Sequence, residues 1–405
     1  MQPLGSNPRP GARAAAPLVE RSRPIAFDFD TPVDRRGTAS VKWDKYGNRD
    51  VIPLWIADMD FRSPPEVCAA LAARAAHGIF GYTHAPEALV ETLIAKLRAD
   101  YDWRVEREWL VWLPGLVTGI NLSCRATGAP GDGVVTAVPA YPPFLTAPAR
   151  SDRKLVTVPL LERNGRAALD LDGIARALHD SARLFILCNP HNPTGRVFTR
   201  AELEALLDVC RAHGAAVCSD EIHCGLVLDT EKRHLPLAAL DPDFAARTIT
   251  LMAPSKTYNV PGLGCSFAVI PGEELRRRFI AAKEGVVPEV NAFGYEAALA
   301  AYRHGDPWRD ALLKYIRGNR DLVERRLAAM PGIAAAHVEA TYLAWIDARG
   351  AGVSDPCRFF EAAGVGLGDG RHFGAPGFVR LNFACPRALL EKALDRMARA
   401  LAERG

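Results

Sequence analysis

Four segments carry side chains whose type and setting could do chemistry. Lys256, in Met252-Ala253-Pro254-Ser255-Lys256-Thr257-Tyr258-Asn259, follows a run of apolar and β-branched residues. A lysine there is either a solvated surface residue or a partly buried amine, neutral enough to attack a carbonyl and form a Schiff base. Asp220, in Ser219-Asp220-Glu221-Ile222-His223, closes another apolar run. It is either a helix N-cap or the ionised partner of a pyridinium nitrogen, which would make that ring an electron sink for a carbanion. The turn Asn189-Pro190-His191-Asn192-Pro193-Thr194-Gly195 contains two Asn-Pro pairs, each restricting the asparagine backbone to extended conformations. It is either a structural turn or a rigid mount for an amide that hydrogen-bonds a ring oxygen. Arg380, in Val379-Arg380-Leu381-Asn382-Phe383, interrupts a strand pattern. It is costly to bury alone, so it either pairs with an acid or receives a substrate carboxylate in its planar fork.

The elements around these segments alternate. Leu184 to Cys188, Ala215 to Ser219, Thr248 to Met252 and Cys265 to Ile270 read as short buried strands. Between the first two, Thr199 and Glu202 form a capping box for a helix running to about His213, with Gly214 as its stop. This pattern predicts an α/β domain with a mostly parallel sheet, in which ligands bind outside the carboxyl ends of the strands. Lys256, Asp220 and the Asn-Pro turn all follow such ends. Leu89, Leu93, Leu97 and Tyr101 mark one face of a helix over 87–101, and Leu390, Leu394, Met397 and Leu401 one over 387–402. The C-terminal third mixes helix, strand (342–346 and 378–383) and a Gly-rich loop (364–377), which predicts a smaller α+β domain.

The 405 residues exceed one small core and suggest two or three domains. With 49% hydrophobic and 24% charged residues and a mean hydropathy of −0.03, the chain has the composition of a soluble globular protein. Its 50 basic and 47 acidic residues leave a net charge of +3, which argues against a nucleic-acid binder driven by bulk charge. The apolar runs fall short of the roughly 18–20 residues of a membrane-spanning helix. Nine cysteines without a CxxC are neither a disulfide framework nor a zinc module and predict reduced thiols in a cytoplasmic protein. Cys188, Cys218, Cys224 and Cys265 lie in or beside strands and are expected in the core. Residues 1–24 are rich in Pro, Arg and Ala and read as a disordered leader, with an organelle transit peptide as the alternative. Of the nine lysines, all but Lys256 are consistent with ordinary surface residues. Asp58 and Asp60, in Asp58-Met59-Asp60, lack the third ligand of a metal site. They are taken as an entrance-loop element, with Asp58 near the substrate and no metal.

The order NPHNPTG, SDEIH, APSKTYN and VRLNFACP resembles the signature of fold-type I pyridoxal-phosphate enzymes, the class I/II aminotransferase family, from about Phe27 to the C-terminus. Three further features resemble the cystathionine β-lyase type of carbon–sulfur lyases within it. They are Pro53-Leu54-Trp55-Ile56-Ala57-Asp58-Met59-Asp60-Phe61, the His after Asp-Glu-Ile, and Glu339-Ala340-Thr341-Tyr342-Leu343-Ala344-Trp345. The resemblance implies a large domain (66–290) with a seven-stranded-type, mostly parallel sheet. A small domain (291–405) is joined by the segment 25–65. It also implies roles: Lys256 as the Schiff-base lysine, Asp220 on the pyridine nitrogen, Asn192 on the ring hydroxyl oxygen, His223 near that oxygen, and Tyr141 stacked on the ring. Gly115, Leu116 and Val117 at a helix start, with Ser255, would hold the phosphate. Tyr82 would reach the phosphate of a neighbouring subunit in a homodimer with a shared active site. Arg380 would hold the substrate α-carboxylate. Two family positions differ: Gly264 stands where an arginine often follows the lysine, and Ala253 where Ser is common. The phosphate is therefore expected to rest on loop amides and Tyr82.

The implied activity is β-elimination from cystathionine or a related cysteine S-conjugate, with Lys256 removing the Cα proton and pyruvate, ammonia and a thiol as products. The same residues serve transamination of an L-amino acid, which stays open, as does a regulatory protein that binds the cofactor without turnover.

Overall fold

The computed structural model describes residues 27–179 and 181–404; the leader 1–24 lies outside them. Seven strands form the main sheet: β1 Leu110–Leu113, β2 Gly133–Val138, β3 Lys154–Pro159, β4 Ala182–Cys188, β5 Ala216–Asp220, β6 Thr248–Met252 and β7 Ser266–Val269. Their spatial order is β1-β7-β6-β5-β4-β2-β3. Only β7 runs against its neighbours. The mostly parallel seven-stranded sheet expected from the sequence is therefore present.

The strands read as continuous apolar runs because both faces are covered. Alternation sends successive residues to opposite sides. Val134, Leu184 and Ile186 pack on one face with Leu116, Ile120 and Leu122 of helix α1 (Leu116–Ala126). Val135, Phe185 and Leu187 pack on the other with Leu203, Leu206 and Leu207 of α2 (Arg200–Ala212). The α2 capping box forms as expected, Thr199 and Glu202 each accepting from the other's backbone N–H, and Gly214 follows with φ 65°. The helices at Glu87–Tyr101 and Arg387–Ala402 have the limits that their periodicity indicates.

A second sheet of four strands, β8 Ala334–Ala335, β9 Leu343–Asp347, β10 Gly368–Asp369 and β11 Phe378–Asn382, has the order β8-β9-β11-β10. Trp345 on β9 lies opposite Arg380 on β11. One apolar core joins Phe29, Ile52, Leu54 and Met59 to Leu343, Val379, Leu381 and Leu394. The N-terminal segment is also tied by Ile52 pairing with Val365 in a short parallel bridge. The helix Ala292–His304 serves two cores, with Ala297 and Ala301 in this one and Tyr295 and Ala298 against Leu89 and Cys265.

One lysine departs from expectation. Lys42 is not a surface residue: it is fully buried, and its Nζ lies 2.7 Å from Asp60 and 3.6 Å from Asp58. Arg35 bonds Asp58 at 2.7 Å and Asp60 at 2.8 Å, and Trp43 Nε1–H donates to Asp60 at 2.9 Å. A charge so buried is tolerable only when paired and hydrogen-bonded in this way.

Candidate active site

Parallel strands bring their carboxyl ends to one edge. Asp220 ends β5, the Asn-Pro turn follows β4, Tyr141 follows β2, Gly115 follows β1 and Lys256 follows β6. All of them, with Asn192, His223 and Arg380, line one cavity of about 340 Å³, inside the ~300–1,000 Å³ range of small-molecule sites. The segments that sequence reading singled out separately thus converge. Leu116, Val117 and Ser255 line the same space.

Burial sets the electrostatics. Asp220 is buried, its Oδ1 accepting from Ile222 N–H at 3.1 Å, and burial pushes its carboxyl up to about 7. Lys256 Nζ donates to the Ala57 carbonyl at 2.6 Å, and burial pulls it down to about 8. The Asp58 charge opposes that shift, while Arg380 adds to it. His223 is buried and neutral, brought down to about 3 by desolvation, with no hydrogen-bond partner on Nδ1 among the described residues. Burial also raises the Tyr141 hydroxyl above its ordinary value.

The surroundings of Arg380 bear on its two sequence readings. It is 6% exposed, yet it bonds only neutral oxygens: Asn192 Oδ1 at 2.8 Å and the Trp55 carbonyl at 3.0 Å. Its Nε has no partner among the described residues, and its guanidinium lies 4.7 Å from the Phe373 ring centroid. Among the described residues no carboxylate lies within ion-pair distance of it. Desolvation brings it down to about 10. A buried cation of this kind is stabilised by an incoming anion.

Another part of the cavity wall suits an anion as well. Helix α1 begins at Gly115 without a side-chain cap, so its first N–H groups and its dipole face the space lined by Leu116 and Val117. Ser255 and Ser266 bring hydroxyls, although Ser266 already donates to the Leu113 carbonyl at 3.1 Å. Gly264 has φ 61°, and a Cβ there would stand 3.1 Å from the Pro114 carbonyl, so the missing arginine is replaced by close backbone packing.

These groups fit pyridoxal phosphate. A desolvated carboxylate waits for a ring nitrogen, an amine of lowered pKa for an aldehyde, and an uncapped helix start for a phosphate. Lys256, Asp220, Asn192, His223, Tyr141, Ser255 and residues 115–117 are the set that would hold it.

Two candidates stand apart. Tyr82 is fully exposed, beside exposed Ile79 and Phe80, and does not line the cavity of its own chain. The Asp58 carboxylate is engaged by Arg35 and Lys42, and Ile56 and Ala57 form the cavity wall of this segment instead. Among the described residues, no group of three His, Cys, Asp or Glu is placed to hold a metal ion.

Sequence reading missed Ala57 and Tyr342. The Tyr342 hydroxyl donates to the same Ala57 carbonyl at 3.0 Å, and its ring lies edge-on to His223 at 6.2 Å. Both residues lie in segments quoted for the lyase resemblance, but a backbone acceptor leaves no residue-type signal. Cys188 and Cys265, expected as core thiols, are buried and also line the cavity.

Comparisons with known proteins agree with this geometry. Residues 49–397 match the family model for aminotransferases of class I and II. The chain is 39% identical over 387 residues to cystathionine beta-lyase PatB of Bacillus subtilis, covering 93% of this chain and all of that one. Among solved structures, OvoB superposes with a TM-score of 0.91 at 49% identity, over 93% of this chain and 99% of that one. Cystalysin from Treponema denticola, a structure containing a pyridoxal 5'-phosphate cofactor, superposes with a TM-score of 0.90 at 30% identity, over 94% of this chain and all of that one.

Proposed function

Because the chain belongs to the class I and II aminotransferase family, we propose that it is a pyridoxal-phosphate-dependent carbon–sulfur β-lyase. It cleaves cystathionine or a related L-cysteine S-conjugate to pyruvate, ammonia and a thiol. The observation that carries this reading is the convergence of Lys256, Asp220 and Arg380 on one cavity, in a chain whose full-length relative is a cystathionine β-lyase.

When bound, pyridoxal phosphate supplies an electron sink for the carbanion formed at the substrate Cα. The protein's residues do the rest. Arg380 holds the α-carboxylate, and Asn192 and the Trp55 carbonyl fix its fork. Lys256, with its pKa lowered to about 8, has a larger neutral fraction near neutral pH than an ordinary lysine and takes the Cα proton. Asp220 would face the ring nitrogen and keep it protonated. The N-terminus of α1 and Ser255 would hold the phosphate. After the Cα proton has left, the Cβ–S bond breaks with its electron pair on sulfur. Uptake of one water then releases pyruvate and ammonia.

We further propose a homodimer that shares its active sites, with Tyr82 reaching the partner's phosphate site; the exposed Ile79, Phe80 and Tyr82 support it. Residues 66–290 form the large unit and 27–65 with 291–404 the small one, on the strength of the core that joins both chain ends. A cytoplasmic location is supported by nine free cysteines. No helix among the described residues is long and apolar enough to cross a membrane.

The test is simultaneous assay of pyruvate, free thiol and keto acid from L-cystathionine. Pyruvate and thiol without an added keto acid is the expected result. A keto acid formed only when a second keto acid is supplied would identify a transaminase instead. In Lys256→Ala both turnover and the visible absorbance of the lysine-bound cofactor are lost.

A further inference from the structure

Beside the cofactor cavity lies a second cavity of about 480 Å³. The two share Ile56, Tyr141 and Arg380 as a common wall. A substrate whose α-carboxylate is held by Arg380 therefore lies next to this space, toward which the part of the molecule beyond Cβ, in the proposed reaction the leaving thiol, would extend.

The wall of this cavity has a distinct charge. Lys45, Arg358, Arg371 and Arg380 face it against one carboxylate, Asp369. That carboxylate is already held by Arg371 through bonds of 2.9 and 3.0 Å, and Arg371 also bonds Asp355 at 3.0 Å. Arg358 lies 3.7 Å from the same Asp355. Lys45 has no such partner: among the described residues no carboxylate lies within ion-pair distance of it. It is exposed at the rim, and two aromatic rings hold it in place, with Nζ 4.5 Å from the Trp55 centroid and 5.0 Å from that of Tyr46.

Trp55 links both cations. Its ring carries Lys45 and its carbonyl carries Arg380, while its indole N–H is fixed on the Lys42 carbonyl at 3.1 Å. One anchored residue thus sets the spacing between a cation for the α-carboxylate and a second cation without an anion.

Resting on the lyase reading above, we infer that the substrate's leaving thiol carries a carboxylate that docks at Lys45, making Lys45 and Trp55 specificity-determining residues. The class selected is a cysteine S-conjugate with a distal carboxylate, as cystathionine has; a distal end whose sole charge is a cation meets like charge at Lys45 and a closed ion pair at Asp369.

The test uses the holoenzyme and three substrates: S-carboxyethyl-L-cysteine, its neutral isostere S-isopentyl-L-cysteine, and cationic S-aminopropyl-L-cysteine. The readout is the ratio of kcat/KM values for pyruvate release within each enzyme, so a general loss of activity cancels. The expected preference for the anionic conjugate over the neutral one is roughly fivefold or more. Lys45→Met brings the ratio close to unity, Lys45→Glu turns it toward the cationic conjugate, and Lys45→Arg retains it. Pyruvate release with ratios that ignore these substitutions would overturn the assignment of Lys45 while leaving the lyase reading intact. No pyruvate from any of the three conjugates or from L-cystathionine would overturn both.

Discussion

Lys256 and Tyr342 donate to one and the same oxygen, the carbonyl of Ala57, at 2.6 and 3.0 Å. A carbonyl stabilises a protonated amine more strongly than a neutral one, and a second donor on it weakens that preference. Tyr342 therefore acts as a positioning residue that favours the neutral amine. In Tyr342→Phe the Lys256 pKa rises, and the acid limb of the kcat profile moves to higher pH by roughly half a unit. An unshifted limb with a lowered Tm would assign Tyr342 a purely structural part.

Asp220 gives a pH-dependent stability of known sign. Its folded pKa of about 7 exceeds its unfolded value of roughly 3.9, so the folded cofactor-free protein binds the extra proton. The stability this contributes is present in full below about pH 4 and is lost as pH rises from about 4 to about 7. Asp220→Asn removes the dependence. The cofactor-free variant melts above cofactor-free wild type at pH 8, and the gap narrows at pH 5. In the holoenzyme the same substitution lowers kcat by roughly a hundredfold. Melting curves with parallel pH dependence would contradict this account.

Arg380→Lys keeps the charge and loses the fork. The bonds to Asn192 and the Trp55 carbonyl cannot both be reproduced by one ammonium in that geometry. The expected loss in kcat/KM is roughly tenfold to a hundredfold, carried mainly by KM. Steady-state kinetics with cystathionine measures it.

Lys42→Met leaves Asp60 buried with Arg35 and Trp43 but without its closest cation. The expected cost is about 3 kcal/mol in urea unfolding. The loop that carries Ala57 is held by this network, so kcat falls as well.

The parts of the site that were legible in the sequence are those set by local rules. Asp220 and Lys256 follow strands whose apolar runs are self-evident, and strand ends are where ligands bind in such sheets. The Thr199 capping box and the Leu390 to Leu401 stripe are likewise local patterns. Other features depend on packing between distant segments. Lys42 is buried because Asp58 and Asp60 fold over it, and Ala57 matters through its backbone oxygen. The dual service of Trp55 needs both chain ends in place. Cys188 and Cys265 carry no mark that separates a core thiol from one that also borders the cavity.

The bridge between Ile52 and Val365, with Asn382 bonding the carbonyls of Ile56 and Asp58, has a consequence for biosynthesis. The N-terminal segment is made first, yet its place in the site exists only once β11 has been made. Through nearly all of translation the sheet can assemble while the wall that holds Lys256 and Arg380 in register is missing. Chains cut short before Asn382 thus carry the residues for the cofactor without the frame that aligns them, so catalytic competence comes at the end of synthesis.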